Sequence, residues 1–317
     1  MTMRIRVAST GAAVVLALGG LAACASGQDV TVGAGAGAGA GGATAIERAS
    51  VKTVAIDTAK LSLTVSATGL PGSSGPATFT AEGAIDNTNG RAELNVDLSQ
   101  ATAGLPDIAG GVLGALGDGH LQLVTDGSDA YLKIGALASI FGATSDKSWV
   151  KLTGDGSSDA SKGSTVADGT EILKLLGQAG DVTTVGTEAV RGVDTTHYRG
   201  TLDVAAALGQ LGADERAQVQ DRLGQVGIDP KAINFPVDVW IGQDDLVRRV
   251  QVGIDGSQFS GANLPTGGVD ATVTVELYDF DVPVDITIPS ADQVFTVDPG
   301  SLPGISGLPG LGGGQHS

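Results

Sequence analysis

Few residues in this chain are of the types that carry out chemistry. There is one cysteine, Cys24, and three histidines, His120, His197 and His316. A metal centre built on imidazole or thiolate needs several such ligands converging on one point. These four lie far apart in sequence with no ligand-type spacing between them, so no metal and no cofactor is expected. No serine sits in a Gly-x-Ser-x-Gly elbow. The chain has no His-Glu-x-x-His and no Gly-x4-Gly-Lys-Ser/Thr loop. Asp155-Gly-Ser-Ser-Asp159 resembles part of a calcium loop but lacks the ligand ring and the closing Glu. Asp244-Asp245 reads as a solvated turn, Arg248-Arg249 as a surface pair beside it, and His197 as a sheet residue packing beside Tyr198. A catalytic constellation needs convergent partners, and none is visible, so no catalytic residue is assigned and the chain is read as a non-enzyme.

Cys24 is different because of what precedes it. Arg4 and Arg6 form a short basic start, and an apolar run follows from Gly11 to Ala23. That run is shorter than the ~20 apolar residues a membrane span needs. A basic start, a short apolar stretch and a small-residue exit make a secretory signal peptide. The exit, Leu21-Ala-Ala-Cys24, resembles a bacterial lipobox, which implies cleavage before Cys24 and lipidation of its sulfur. One acyl chain binds a bilayer only marginally, whereas two hold stably. A diacylated Cys24 is therefore a sufficient anchor. It would place the protein outside the cytoplasm, on the outer face of the cytoplasmic membrane. With its thiol consumed, neither a disulfide nor thiolate catalysis is available.

Four stretches follow from composition: a signal peptide over residues 1–23, a lipidated and Gly/Ala-rich tether over 24–45, a folded domain over 46–298, and a Gly/Pro-rich tail over 299–317. The repeat Gly33 to Gly42 has the composition of a flexible coil, and the tail is expected to be disordered. The formal charge is −17, and loss of Arg4 and Arg6 with the leader makes the mature chain more acidic still. Such a chain repels nucleic acid at long range and favours a soluble monomer.

The elements of the domain follow from periodicity. Ala43 to Val54 suits a short amphipathic helix with Ile46, Ala49, Val51 and Val54 apolar. The period then becomes two. Leu61, Leu63 and Val65 share one face, as do Phe79 with its neighbours and Leu94 with Val96. Asn87-Thr-Asn-Gly90 closes the hairpin between the second and third of these strands. Further strands are expected over 120–124, 129–134, 148–152, 181–189, 195–202, 235–241, 246–254 and 271–280. Helices are expected over 167–179 and, capped by Asp203, over 203–224. Strands in runs, with helices inserted after groups of them, argue for an α+β domain on one large antiparallel sheet of about eleven strands. Such a sheet has an apolar face and a wet face.

Several runs of the second half resemble one family. These are Ile172-Leu-Lys-Leu-Leu, Val185 through Asp203, Phe235-Pro-Val-Asp-Val-Trp-Ile, Asp245-Leu-Val-Arg-Arg-Val and Val275 through Ser290. They are similar to the LppX/LprG-type lipoproteins of actinobacteria, whose fold is like that of the LolA and LolB carriers. The resemblance implies a curved half-barrel whose concave apolar face is covered by helices. It also implies a cavity for the acyl chains of a lipid or lipoglycan, carried or presented in the cell envelope to a transporter or acceptor protein.

The residues this promotes to candidate cavity lining are Leu61, Leu63, Val65, Phe79, Leu94, Val96, Val239, Ile241, Val250, Val252, Val273 and Val275. In any sheet these would equally serve as packed core. A different class of function therefore stays open, an envelope interaction or scaffold module with a filled core. A large contiguous apolar cavity separates the first from the second.

Overall fold

The computed structural model describes residues 40–70, 75–97, 120–127, 129–133, 147–152, 173, 182–209, 212–225, 227–259 and 268–297. Cys24, the tail, the Asp155–Asp159 loop and the expected helix over 167–179, except Leu173, lie outside them. The first element is helix α1 (Ala40–Val54), which starts within the Gly/Ala-rich stretch. Strands β1 (Thr58–Thr68), β2 (Ala77–Asp86), β3 (Arg91–Asp97), β4 (His120–Asp126), β5 (Asp129–Lys133) and β6 (Trp149–Leu152) follow. Next come β7 (Thr183–Val190), β8 (Val193–Asp203) and helices α2 (Val204–Gly209) and α3 (Ala213–Gln225). The chain then continues through β9 (Asn234–Gly242), β10 (Val247–Ile254), β11 (Asp270–Tyr278) and β12 (Val294–Val297).

All twelve described strands form one sheet in the order β12-β6-β5-β4-β3-β2-β1-β11-β10-β9-β8-β7. Every pairing is antiparallel except β12 with β6. The architecture is therefore α+β on one large antiparallel sheet, as the strand runs imply. The strand beyond the expected eleven is β12. It reaches β6 because the segment after β11 crosses the sheet, laying Val284, Ile286 and Ile288 on Val124, Tyr131 and Trp149.

Tight turns fix the register. Between β7 and β8 both central residues, Arg191 (φ 49°) and Gly192 (φ 80°), are left-handed, as a two-residue hairpin following the strand twist requires. Val190 thus pairs with Val193. In the β2–β3 turn, Asp86 accepts bonds from the Asn89 backbone and side-chain amides, at 3.0 and 2.6 Å. The Asp244–Asp245 turn is not merely solvated. Arg48 and Lys52 of α1 reach it, at Asp245 Oδ1 (2.8 Å) and the Asp244 carbonyl (2.6 Å). That ties helix to sheet across 197 residues of sequence.

Helices α1, α2 and α3 pack on the β7–β10 end of the apolar face. Ile46 and Ala49 of α1 and Val204 and Leu208 of α2 meet Leu202, Phe235, Val237, Val239, Ile241, Val247 and Val252 in one core. The buried side of α1 differs from the expected one. Ala45, Ile46, Ala49, Ser50 and Thr53 face in, while Val51 (60% exposed) and Val54 (44% exposed) face out. The polar residues are accommodated because their hydroxyls find backbone partners. Thr53 donates to the Ala49 carbonyl (2.7 Å) and accepts from the Val247 N–H (3.0 Å). The single helix expected over 203–224 is two described helices, α2 and α3. Asp203 caps the first of them, accepting the Ala206 N–H at 3.0 Å.

Candidate functional site

The twelve candidate residues all fall on the helix-bearing face, in rows that run across the strands. One row is Leu121, Val96, Ala81, Leu63, Val275, Val250 and Val239, each opposite the next. A second is Leu132, Leu123, Leu94, Gly83, Leu61 and Leu277. A third is Phe79, Val65, Val273, Val252 and Val237. Their side chains are contiguous because opposite residues of an antiparallel pair point the same way at ~5 Å spacing.

Burial divides this face in two. Under the helices, Val239 is 0% exposed, Ile241 5% and Val252 7%, and these three candidates belong to packed core. The other nine, Leu61, Leu63, Val65, Phe79, Leu94, Val96, Val250, Val273 and Val275, are half-buried. Leu121, Leu123, Leu132 and Phe295 extend the same half-buried band toward the far edge. Sequence reasoning passed over these four, although the alternation in Leu121-Gln-Leu123 carries the signal. Small residues interrupt the band on β2. Gly83 is required there, since a Cβ at that position would lie 2.0 Å from the Glu93 carbonyl oxygen.

The opposite face, polar except where the crossing segment covers Val124 and Trp149, gathers most of the charged words of the second half. His197 stacks on Trp240 with ring centroids 4.2 Å apart and 12° between planes. Tyr198, its chain neighbour, points to the other face, so the expected His197–Tyr198 packing gives way to a cross-strand stack. His197 Nε2 lies 2.6 Å from Asp238 Oδ1, which also accepts Arg199 Nε at 2.7 Å. Glu188 accepts the Trp240 indole N–H and lies 3.5 Å from His197 Nδ1. The row continues to Arg249, which meets Glu276 at 2.6 Å, and Arg191 meets the same carboxylate at 2.6 Å while covering Tyr278. Burial pushes the Glu276 carboxyl up, but hydrogen bonds from Arg249 and Arg191 outweigh it and hold the group below its ordinary range.

Arg248, read as a surface residue, is largely buried instead. It stacks over Phe280, 4.5 Å from the ring centre, and pairs with Asp244. No nucleophile joins the described His197–Asp238 pair. The nearby Thr195 hydroxyl, itself buried, donates to the Glu188 carbonyl. This face also carries a shallow groove of about 320 Å³ between Lys60, Glu82, Glu93, Asn95 and the Pro283–Asp285 crossing. Its polar lining does not suit an acyl chain.

Residues 42–286 match the model of the LppX_LprAFG lipoprotein family. An uncharacterised 31.2 kDa protein encoded in the rplA-rplJ intergenic region of Streptomyces griseus is 30% identical over 197 residues, 56% of this chain. The match spans 58% of that relative's own length. Among solved structures, the chain is similar to the lipoprotein LppX of Mycobacterium tuberculosis. That match has 13% identity and a TM-score of 0.43, covering 77% of this chain and 97% of the other. It is also similar to LprF of Mycobacterium bovis, with 17% identity and a TM-score of 0.41 over 79% and 97%. With the family model matched along most of its length, the chain belongs to the LppX_LprAFG lipoprotein family.

Proposed function

We propose that this lipoprotein binds the acyl chains of a lipid or lipoglycan against the half-buried part of its apolar face. It carries or presents them at the outer face of the cytoplasmic membrane, where lipidated Cys24 holds it, and it does no catalysis. One observation carries the reading. Two halves of one sheet face have the same residue types, but among the described residues helices close only one, down to 0% exposure at Val237 and Val239. A packed interior leaves few voids larger than a water molecule. Nine aligned aliphatic and aromatic candidates left half-open make a surface that an apolar ligand would complete.

The energetics suit exchange. Completely burying a chain of ~16 methylenes away from water is worth on the order of 13 kcal/mol, an upper bound for this face. The ligand, however, comes from a bilayer that is already apolar, so most of that gain cancels and transfer in either direction stays close to balance. Selectivity must then come from the headgroup.

Displacement of a fluorescent fatty acid tests the site. Leu63→Asp and Leu94→Asp each put a charge into the band, and each should weaken probe binding by at least about tenfold through the cost of desolvating it. Val51→Asp, on the exposed side of α1, should leave binding unchanged. Equal binding by all three would remove the band as the site. The alternative role, an interaction module, is favoured by the closed core under α1–α3. It would gain if the probe failed to bind a well-folded wild-type chain.

A further inference from the structure

We propose that the shallow groove on the polar face, between β1–β3 and the crossing segment, binds a neutral sugar unit of a glycan chain. The proposal is independent of the lipid-binding reading, because the groove and the apolar band lie on opposite faces of the sheet. Its volume of about 320 Å³ is at the small end of the ~300–1,000 Å³ of ligand sites. Gly83 and Ala84 carry no side chain large enough to fill it. Its walls are fixed before any ligand arrives. Thr58 Oγ1 donates to the Val282 carbonyl at 2.6 Å and the Asp57 N–H to Asp281 Oδ1 at 3.0 Å, which pins the start of the crossing segment. Lys60 Nζ is held 2.9 Å from Asp279. The side-chain amides of Asn95 and Gln122 donate to one oxygen of Glu93, Oε1, at 2.7 and 2.9 Å. Groups held in this way lose little freedom on binding.

What these groups leave unused defines the ligand. Glu93 keeps its second oxygen, Asn95 its side-chain carbonyl, and Lys60 the remaining hydrogens of its ammonium. Among the described residues the Glu82 and Asp285 carboxylates and the Tyr278 hydroxyl hold no hydrogen bond. Donors and acceptors are therefore mixed within one groove, beside a Tyr278 ring that Arg191 covers at 3.9 Å. An acyl chain would bury these polar groups unpaired. A phosphate or carboxylate would meet three carboxylates against one ammonium that Asp279 already neutralises. Among the described residues no three carboxylate or imidazole groups converge as the ligands of a metal ion would. A hydroxyl is donor and acceptor at once. A polyhydroxylated ring can thus donate to Glu82, Glu93 and Asp285 and accept from Lys60, while its C–H groups pack on Tyr278. The groove is shallow rather than enclosed, which suits one unit of a longer chain.

Saturation-transfer NMR on the full-length mature chain tests this, with maltose, cellobiose, lactose and mannobiose as probes beside spermidine and inorganic phosphate. At least one disaccharide is expected to bind, and phosphate is not. Glu82 is exposed, and Glu82→Ala should weaken that disaccharide at least about tenfold, as loss of a hydrogen bond to a charged group does. Glu82→Gln keeps an acceptor oxygen without the charge and should retain most of the binding, whereas a site for an amine would lose it. Val51→Asp, on the exposed side of α1, should change nothing. Binding of spermidine alone, of phosphate, or of no disaccharide at all would overturn the inference. Equal disaccharide binding by Glu82→Ala and the wild type would overturn it too. None of these outcomes bears on the lipid-binding reading, which the fluorescent fatty acid tests separately.

Discussion

At the scale of single residues, three positions carry physical demands that can be read directly. Thr53 serves as donor and acceptor at once, and its loss strands the buried Val247 N–H. Leaving such a donor unpaired costs ~1–3 kcal/mol, so Thr53→Val should lower the stability measured by chemical denaturation by about that amount. Gly83 has no room for a methyl group, and Gly83→Ala should cost a further ~1–3 kcal/mol by forcing β2 and β3 apart. Glu276 is held ionised by two arginines, with its carboxyl below the ordinary range. A carboxylate depressed on folding contributes stability above its unfolded value of about 4.3, and that contribution is lost as pH falls through the lower folded value. Denaturation midpoints should therefore drop on acidification below about pH 4.5, and Glu276→Gln should flatten that part of the profile.

At the scale of elements, the hairpins and strand faces were legible and the helices less so. Alternation at Leu61, Leu63 and Val65 and the turn at Asn87–Gly90 locate β1–β3 and the β2–β3 hairpin. Local pattern sufficed there because a strand with one apolar face records its orientation in every second residue. For α1 the pattern misled, since Val51 and Val54 are apolar but exposed, while Ser50 and Thr53 are polar but buried. Hydroxyls that bond backbone carbonyls can enter a core at little cost, and hydropathy does not register this. Strand β12 escaped notice because its four residues owe their pairing to a crossing over distant strands. The site was half legible. Parity placed all twelve candidates on one face, but which of them the helices would close over depended on where α1 docks. That docking buries Ile46 and Ala49 on strands far along the chain and is oriented by Arg48 meeting Asp245, 197 residues away, and Lys52 meeting the Asp244 carbonyl, 192 away. It yields a prediction of its own: Val239→Ala, in the closed core, should lower stability while leaving fatty-acid affinity per folded molecule unchanged, the reverse of Leu63→Asp.

At the scale of the whole molecule, the sheet has one face rich in ion pairs and one apolar face that the described helices cover only in part. A sheet so built has no need of catalytic groups to be useful. Under the proposed function its work is to offer apolar surface to a lipid, while its formal charge of −17 makes copies of the chain repel one another. The family membership and the lipobox-like Leu21–Cys24 both fit a protein that works at the membrane surface. The most direct measurement is native mass spectrometry of a soluble form starting after Cys24, purified from its own host, with lipid extraction of the same sample. The account predicts a mass above that of the bare chain, by an adduct that organic extraction removes and that returns on mixing with the extracted lipid. A well-folded protein at its bare mass, taking up no offered lipid, would contradict it.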